Sequence, residues 1–66
     1  METLGEAFPK EQARVRKILG EYVKLGPAGR FGMVWIEDLL RRADRAAIEG
    51  DTVAMIALYQ ELQSVK

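Results

Sequence analysis

The stretch that decides the fold is RFGMVWIEDLLRRADRAAIEG, which runs from Arg30 to Gly50. At 100° per residue its apolar side chains fall on one broad face and most of its charged side chains fall opposite, which is the pattern of an amphipathic helix. Bulky side chains occupy the first half of the apolar face and alanines the second half, where another helix would approach closely. The face consists of Gly32, Trp35, Ile36, Leu39, Leu40, Ala43, Ala46 and Ala47.

Two apolar residues of this stretch, Val34 and Ile48, project into its charged arc. Single exposed apolar residues are common on protein surfaces, and the alternative interpretation is a contact between subunits. Both interpretations remain open from the sequence.

The charged arc of the same stretch contains oppositely charged residues at helical spacing. The i,i+4 pairs are Glu37–Arg41, Asp38–Arg42 and Arg45–Glu49, and Arg41 stands three residues before Asp44. Such pairs stabilise a helix by about 0.2–0.5 kcal/mol each. The three arginines therefore fit a solvated face better than a phosphate-binding face, although their role stays open.

The segments on either side predict two further helices. Phe8-Pro9 is a helix start, because proline is favoured at the first helical position, and Gly26-Pro27 is a helix stop. The first helix is therefore predicted at about residues 8–25, with residues 1–7 as a flexible N-terminus. Gly20, inside this helix, is a residue type that often marks close approach of another helix.

The central helix is predicted at residues 31–49, and Asp51 is a good N-cap for a third helix at 52–64. The turn between the first two helices is short enough to form an antiparallel hairpin. The prediction is an all-α fold, a helical hairpin plus a third helix, in a single domain over residues 8–66.

Composition narrows the function classes. The chain has 66 residues, no cysteine and no histidine, so disulfides, thiolate or imidazole metal sites and His- or Cys-based catalysis are excluded. We predict no enzyme activity and no cofactor. Because 48% of so short a chain is hydrophobic, we expect a core that is shared with other copies of the chain. The expected assembly is a homo-oligomeric bundle, most simply a dimer.

Charge and hydropathy bear on partners and location. Ten basic residues balance ten acidic ones, whereas a nucleic-acid-binding protein needs a clustered positive surface. Nucleic acid is thus a disfavoured partner. The sequence has neither the apolar run of about 18 residues that a membrane span requires nor a recognisable signal peptide, and the expected location is the cytoplasm.

One candidate ligand site lies at the turn before the central helix. Glycines at a helix start offer backbone N–H groups, the helix dipole favours an anion there, and an arginine adds a forked donor. Nearby aromatic side chains would stack on a base. The alternative is that the glycines only make the turn and the aromatics belong to the core. The candidate residues are Tyr22, Gly26, Gly29, Arg30, Phe31 and Trp35.

A candidate interface consists of apolar residues that lie off the main stripes or at the centre of the expected assembly. Self-association is the favoured occupant, and a partner protein is the alternative. These residues are Val34, Trp35, Leu39, Ile48, Val53, Ile56 and Tyr59.

Two resemblances follow from longer segments. ADRAAIEGDTVAMIALYQEL, residues 43–62, resembles one helical hairpin of a tetratricopeptide repeat, in which a Gly-Asp turn is followed by a tyrosine, as at Gly50-Asp51 and Tyr59. The pattern expects a small residue before this tyrosine, and Met55 departs from it. One such unit implies a tight helix–turn–helix and no repeat array.

The whole chain looks similar to very short all-helical accessory proteins of bacteriophages and prophages of Proteobacteria. The similarity lies in FPKEQ, GPAGRFG and IEDLLRRADRAAIEGDTVAMI, residues 8–12, 26–32 and 36–56. It implies a location in a bacterial host, where proteins of this size commonly inhibit host machinery or bind host defence molecules.

Three functional hypotheses remain from the sequence. In the first, the protein blocks a host process by binding a host protein. In the second, it sequesters an anionic, nucleotide-like signalling molecule at the Gly26–Arg30 turn, in a pocket between subunits. In the third, it is a purely structural oligomer.

Overall fold

The structure is a computed structural model that describes residues 2–66. Three α-helices account for most of these residues: α1 at Leu4–Lys24, α2 at Arg30–Glu49 and α3 at Thr52–Gln63, with a short 3-10 turn at Gly26–Gly29 between α1 and α2. The described residues contain no strand. The all-α prediction with three helices is confirmed, whereas the assembly with other copies remains a prediction.

The start of α1 was predicted wrongly. The helix begins at Leu4 and not at residue 8, so the segment predicted as flexible contains the first turn of α1; Met1 lies outside the described residues. The Thr3 hydroxyl accepts a hydrogen bond from the Glu6 N–H at 3.3 Å, which caps the helix. Pro9 consequently lies inside α1, beyond its first turn, and lacks the N–H that would donate to the Gly5 carbonyl.

The other helix ends lie within one residue of the prediction, because their sequence signals are local. Gly50 closes α2 in the left-handed conformation with φ 66°, which favours glycine. The Asp51 carboxylate accepts a hydrogen bond from the Ala54 N–H at 3.1 Å and caps α3 as predicted. Gly26, with φ 64°, turns the chain after α1.

The core lies where the three helices meet. Its buried side chains are Phe8, Val15, Ile36, Leu39, Leu40, Ala43, Ala46, Leu58, Leu62 and Val65. The predicted face of α2 is confirmed at its centre, but Ala47 is exposed and Trp35 is half exposed. No side chain of a polar or charged residue is buried among the described residues, so apolar packing dominates this core.

The close approach of α1 and α2 occurs at the hairpin turn and not at Gly20. A Cβ at Gly20 would have open space around it, whereas a Cβ at Gly29 would stand 2.5 Å from the Tyr22 carbonyl oxygen. A Cβ at Gly32 would overlap the Tyr22 ring. The glycines that the packing requires are therefore those at the start of α2, where the chain turns back against α1.

The third helix is much shorter than the hairpin that it covers. α1 has 21 residues and α2 has 20, whereas α3 has 12. α3 runs from the Gly50 turn back along the hairpin, and its last carbonyls meet Arg14, near the middle of α1. The half of the hairpin beyond Arg14 therefore has no third helix over it.

Within residues 2–66, no helix combines the length and the apolar character that crossing a membrane requires.

We predict opposite effects for alanine at Gly29 and at Gly20. Gly29→Ala should lower the free energy of unfolding by about 1–3 kcal/mol, because the new methyl group meets a backbone oxygen that cannot move alone. Gly20→Ala, at an exposed helical position with open space, should raise it by up to about 1 kcal/mol. Urea denaturation followed by circular dichroism measures both. Equal effects of the two substitutions would contradict the assigned close approach.

Candidate functional site

Within the turn predicted to bind an anion, Gly29 alone is buried, whereas Gly26, Pro27, Ala28 and Arg30 are exposed. The Arg30 N–H donates to the Pro27 carbonyl, so the 3-10 turn continues directly into α2. Gly29 is buried beneath the end of α1, close to the Tyr22 carbonyl oxygen. A backbone oxygen thus lies beside the glycine that was expected to face a phosphate, and this disfavours the predicted cradle of N–H groups.

The predicted aromatic residues do not converge on one pocket. Tyr22 is partly buried against Gly32 in the hairpin. Phe31 is 94% exposed and Trp35 is 48% exposed. A depression of about 290 Å³ beside Phe31 includes Arg30, and neither Tyr22 nor Trp35 lines it. The ligand-binding set from the sequence is therefore distributed over different environments.

The predicted interface set divides into core and surface residues. Leu39 is fully buried within the single chain, and Tyr59 packs against the core. These two side chains are covered by their own chain. The remaining members are exposed, namely Val34, Trp35, Ile48, Val53 and Ile56.

Three of the exposed residues lie at the end of the molecule formed by the Gly50 turn. Ile48 and Val53 flank this turn and are 86% and 80% exposed. Ile56 follows one helical turn after Val53 and thus points to the same side of α3. We call Ile48, Val53 and Ile56 the Gly50-end surface. Its side chains contribute little to the core of the chain, so the fold gives no reason for their apolar character.

A groove between α2 and α3 begins near the same turn, because Glu49 and Asp51 line it. It has a volume of about 350 Å³, an apolar floor and charged rims. Residues that line it are Arg42, Arg45, Ala46, Glu49, Asp51, Ala54, Ala57, Leu58 and Glu61.

The arginines of α2 have different partners. Arg42 makes ion pairs with Asp38 at 3.0 Å and with Glu61 of α3 at 3.4 Å, and Arg45 lies 4.0 Å from Glu49. The predicted pairing of Arg41 with Asp44 is wrong, because Asp44 accepts instead from two side chains of α1, Gln12 and Arg16.

Arg14 is the polar residue whose role the sequence did not reveal. Its guanidinium donates to the carbonyl oxygens of Leu62 and Val65 at 2.8 and 2.9 Å, and to the Glu11 carboxylate. The hydrogen bond to Glu11 raises the pKa of Arg14 above its usual value, so the group stays charged. Arg14 therefore satisfies carbonyls that the end of α3 would leave open.

In the described part of the chain, no three acidic residues come together as a metal site would require. The pKa of Lys10 is raised by a hydrogen bond to Glu2, at an exposed position near the start of α1. The distinctive property of this molecule is the amount of apolar surface outside its core.

Comparison with protein-family models, with curated proteins and with solved structures gives no match for this chain.

We predict that Arg14→Met lowers the free energy of unfolding by about 1–2 kcal/mol, because methionine keeps the apolar stem but removes the hydrogen bonds to the end of α3. Arg42→Met is the matched control. Its ion pairs are exposed, so the expected loss is below about 1 kcal/mol. Thermal and urea unfolding measure both variants, and a larger loss for Arg42→Met would refute the structural role of Arg14.

Proposed function

We propose that the protein is a non-enzymatic helical binding protein that acts as a homo-oligomer and blocks a process of a bacterial host by binding a host protein. This setting is the one that the resemblance to accessory proteins of phages and prophages, drawn from the sequence, would imply. A protein partner is favoured over a small molecule because large apolar side chains of residues 2–66 are exposed and the groove near the Gly50 turn has an apolar floor.

The observation that carries the proposal is the exposure of large apolar side chains in so small a chain. Eight of them are exposed among residues 2–66, from Val23 to Ile56. Contiguous apolar patches on soluble proteins commonly mark contacts with other proteins, and apolar anchors dominate the energy of such contacts. We assign the host protein to the Gly50-end surface, where Ile48 and Val53 protrude near the start of the α2–α3 groove.

Sequestration of an anionic, nucleotide-like molecule is the less favoured candidate. It depends on Arg30 and on the backbone N–H groups of the turn. Gly29 is packed against α1, and the Arg30 N–H already donates to the Pro27 carbonyl. If two copies built a pocket around Arg30, the melting temperature would rise with nucleotides.

Binding of a host protein predicts that a single charge on the Gly50-end surface abolishes it. Ile48→Lys should lose capture of a defined protein from a proteobacterial lysate, because a lysine at this position interrupts an apolar contact. Ala13→Lys places the same charge on an exposed position of α1 and should retain capture. The captured protein, once purified, should bind the wild type but not Ile48→Lys in isothermal titration calorimetry.

The outcomes separate the three hypotheses. Capture that is equally strong with Ile48→Lys would refute the assigned surface. A lysate that yields no specific protein, together with unchanged melting in phosphate and in a nucleotide panel, would favour the structural oligomer. A melting shift that Arg30→Ala removes would favour sequestration.

A further inference from the structure

The half of the hairpin that α3 leaves uncovered presents an apolar face. α3 ends at Arg14, and α1 continues for ten residues to Lys24, which corresponds to about 15 Å of helix. Helical spacing places Ile18, Tyr22 and Leu25 on the α3-facing side of α1 beyond this point. Phe31 and Trp35 continue the α3-facing side of α2 in the same way. We call these five residues the bare face.

The bare face is exposed where a third helix would otherwise lie. Among residues 2–66, Phe31 is the most exposed large apolar residue, and Leu25 and Trp35 are about half exposed. Ile18 and Tyr22 are only partly covered by the core. The bare face thus has the apolar composition of a surface that packs against a helix, but it is exposed because α3 does not cover it.

We propose that a second copy of this chain occupies the bare face and forms an antiparallel two-fold dimer. This inference rests on the homo-oligomer of the proposed function and deepens it by naming the contact surface and its geometry. Each copy would place its own bare face on that of the other, so that the two hairpins form a four-helix contact.

The size of the bare face fits a dimer. Its exposed aromatic and leucine side chains offer roughly 400 Å² of apolar surface per copy. Homodimer interfaces are about 65% apolar, so two such faces with their polar rims would bury on the order of 1,200 Å². That value is the lower limit for specific interfaces. A balanced net charge also gives no overall repulsion between copies.

The position of α3 selects the orientation. If the two hairpins packed in parallel, the two α3 helices would stand at the same level and collide. In the antiparallel arrangement, the α3 of one copy lies beyond the tip of the other copy. The contact is then isologous: both copies use the same surface, and none of it remains free to bind a third copy.

The charges beside the bare face are complementary in this orientation. Lys17 and Glu21 are exposed and lie two residues on either side of Leu19, close to the middle of the uncovered part of α1. Among residues 2–66, neither takes part in any of the six ion pairs of the structure. An antiparallel two-fold axis near Leu19 brings Lys17 of each copy to Glu21 of the other, twice per dimer.

Sedimentation equilibrium over a wide concentration range tests the contact surface. The wild type should dimerise, and Phe31→Glu should be monomeric throughout. Phe31 is outside the core, and a glutamate suits the first turn of α2, so circular dichroism should be unchanged. Gln60→Glu, on the solvent side of α3, is the control and should dimerise as the wild type does. A monomeric wild type, or a Phe31→Glu dimer of wild-type affinity, would overturn the proposal.

A charge exchange tests the orientation. Lys17→Glu and Glu21→Lys should each raise the dimer Kd by at least about tenfold, because each places like charges opposite one another. The double variant should return the Kd to near its wild-type value. Weak dimerisation of the double variant would overturn the antiparallel arrangement.

The dimer and the binding of a host protein fail separately. If Phe31→Glu is monomeric and still loses nothing in capture, only the need for an oligomer is refuted. If Ile48→Lys keeps capture while dimerisation behaves as expected, the Gly50-end surface is refuted and the bare face stands.

Discussion

The structure depends on the burial of a long apolar hairpin by a short third helix. α1 and α2 each extend for about twenty residues, and α3 extends for 12. Because a chain of 66 residues without cysteine has no crosslink to add, its stability comes from apolar packing. That packing is complete only on the half of the hairpin that α3 covers. The other half determines what the molecule offers to partners.

Polar contacts hold the helices in register around this core. Arg14 donates hydrogen bonds to the carbonyls of Leu62 and Val65 at the end of α3. Asp44 accepts hydrogen bonds from Gln12 and Arg16 of α1. These contacts lie toward the covered half of the hairpin. The uncovered half is held by close backbone packing at Gly29, where α2 starts against the end of α1. The exposed aromatic side chains therefore lie on a hairpin end where α1 and α2 approach closely.

The two exposed apolar surfaces suit different tasks. The bare face lies along the hairpin, has a symmetric arrangement of charges beside it, and fits a second copy. The Gly50-end surface lies at the opposite end of the molecule, near the start of a groove with charged rims. Dimerisation through the first would leave the second accessible in both copies. The dimer would then present two equivalent binding surfaces, and bivalency would strengthen binding to a multimeric host protein.

The sequence determined the helices, most of their ends and most of the core, because periodicity and the signals at Gly26, Gly50 and Asp51 act over a few residues. The start of α1 also has a local signal, because Thr3 and Glu6 have the spacing of a capping box; Phe8-Pro9 is a competing start signal that the folded chain does not use. Only the tertiary structure decided which glycines approach another helix, which predicted interface residues belong to the core, and that α3 ends at Arg14. These facts depend on contacts between residues distant in sequence, which helical periodicity does not encode.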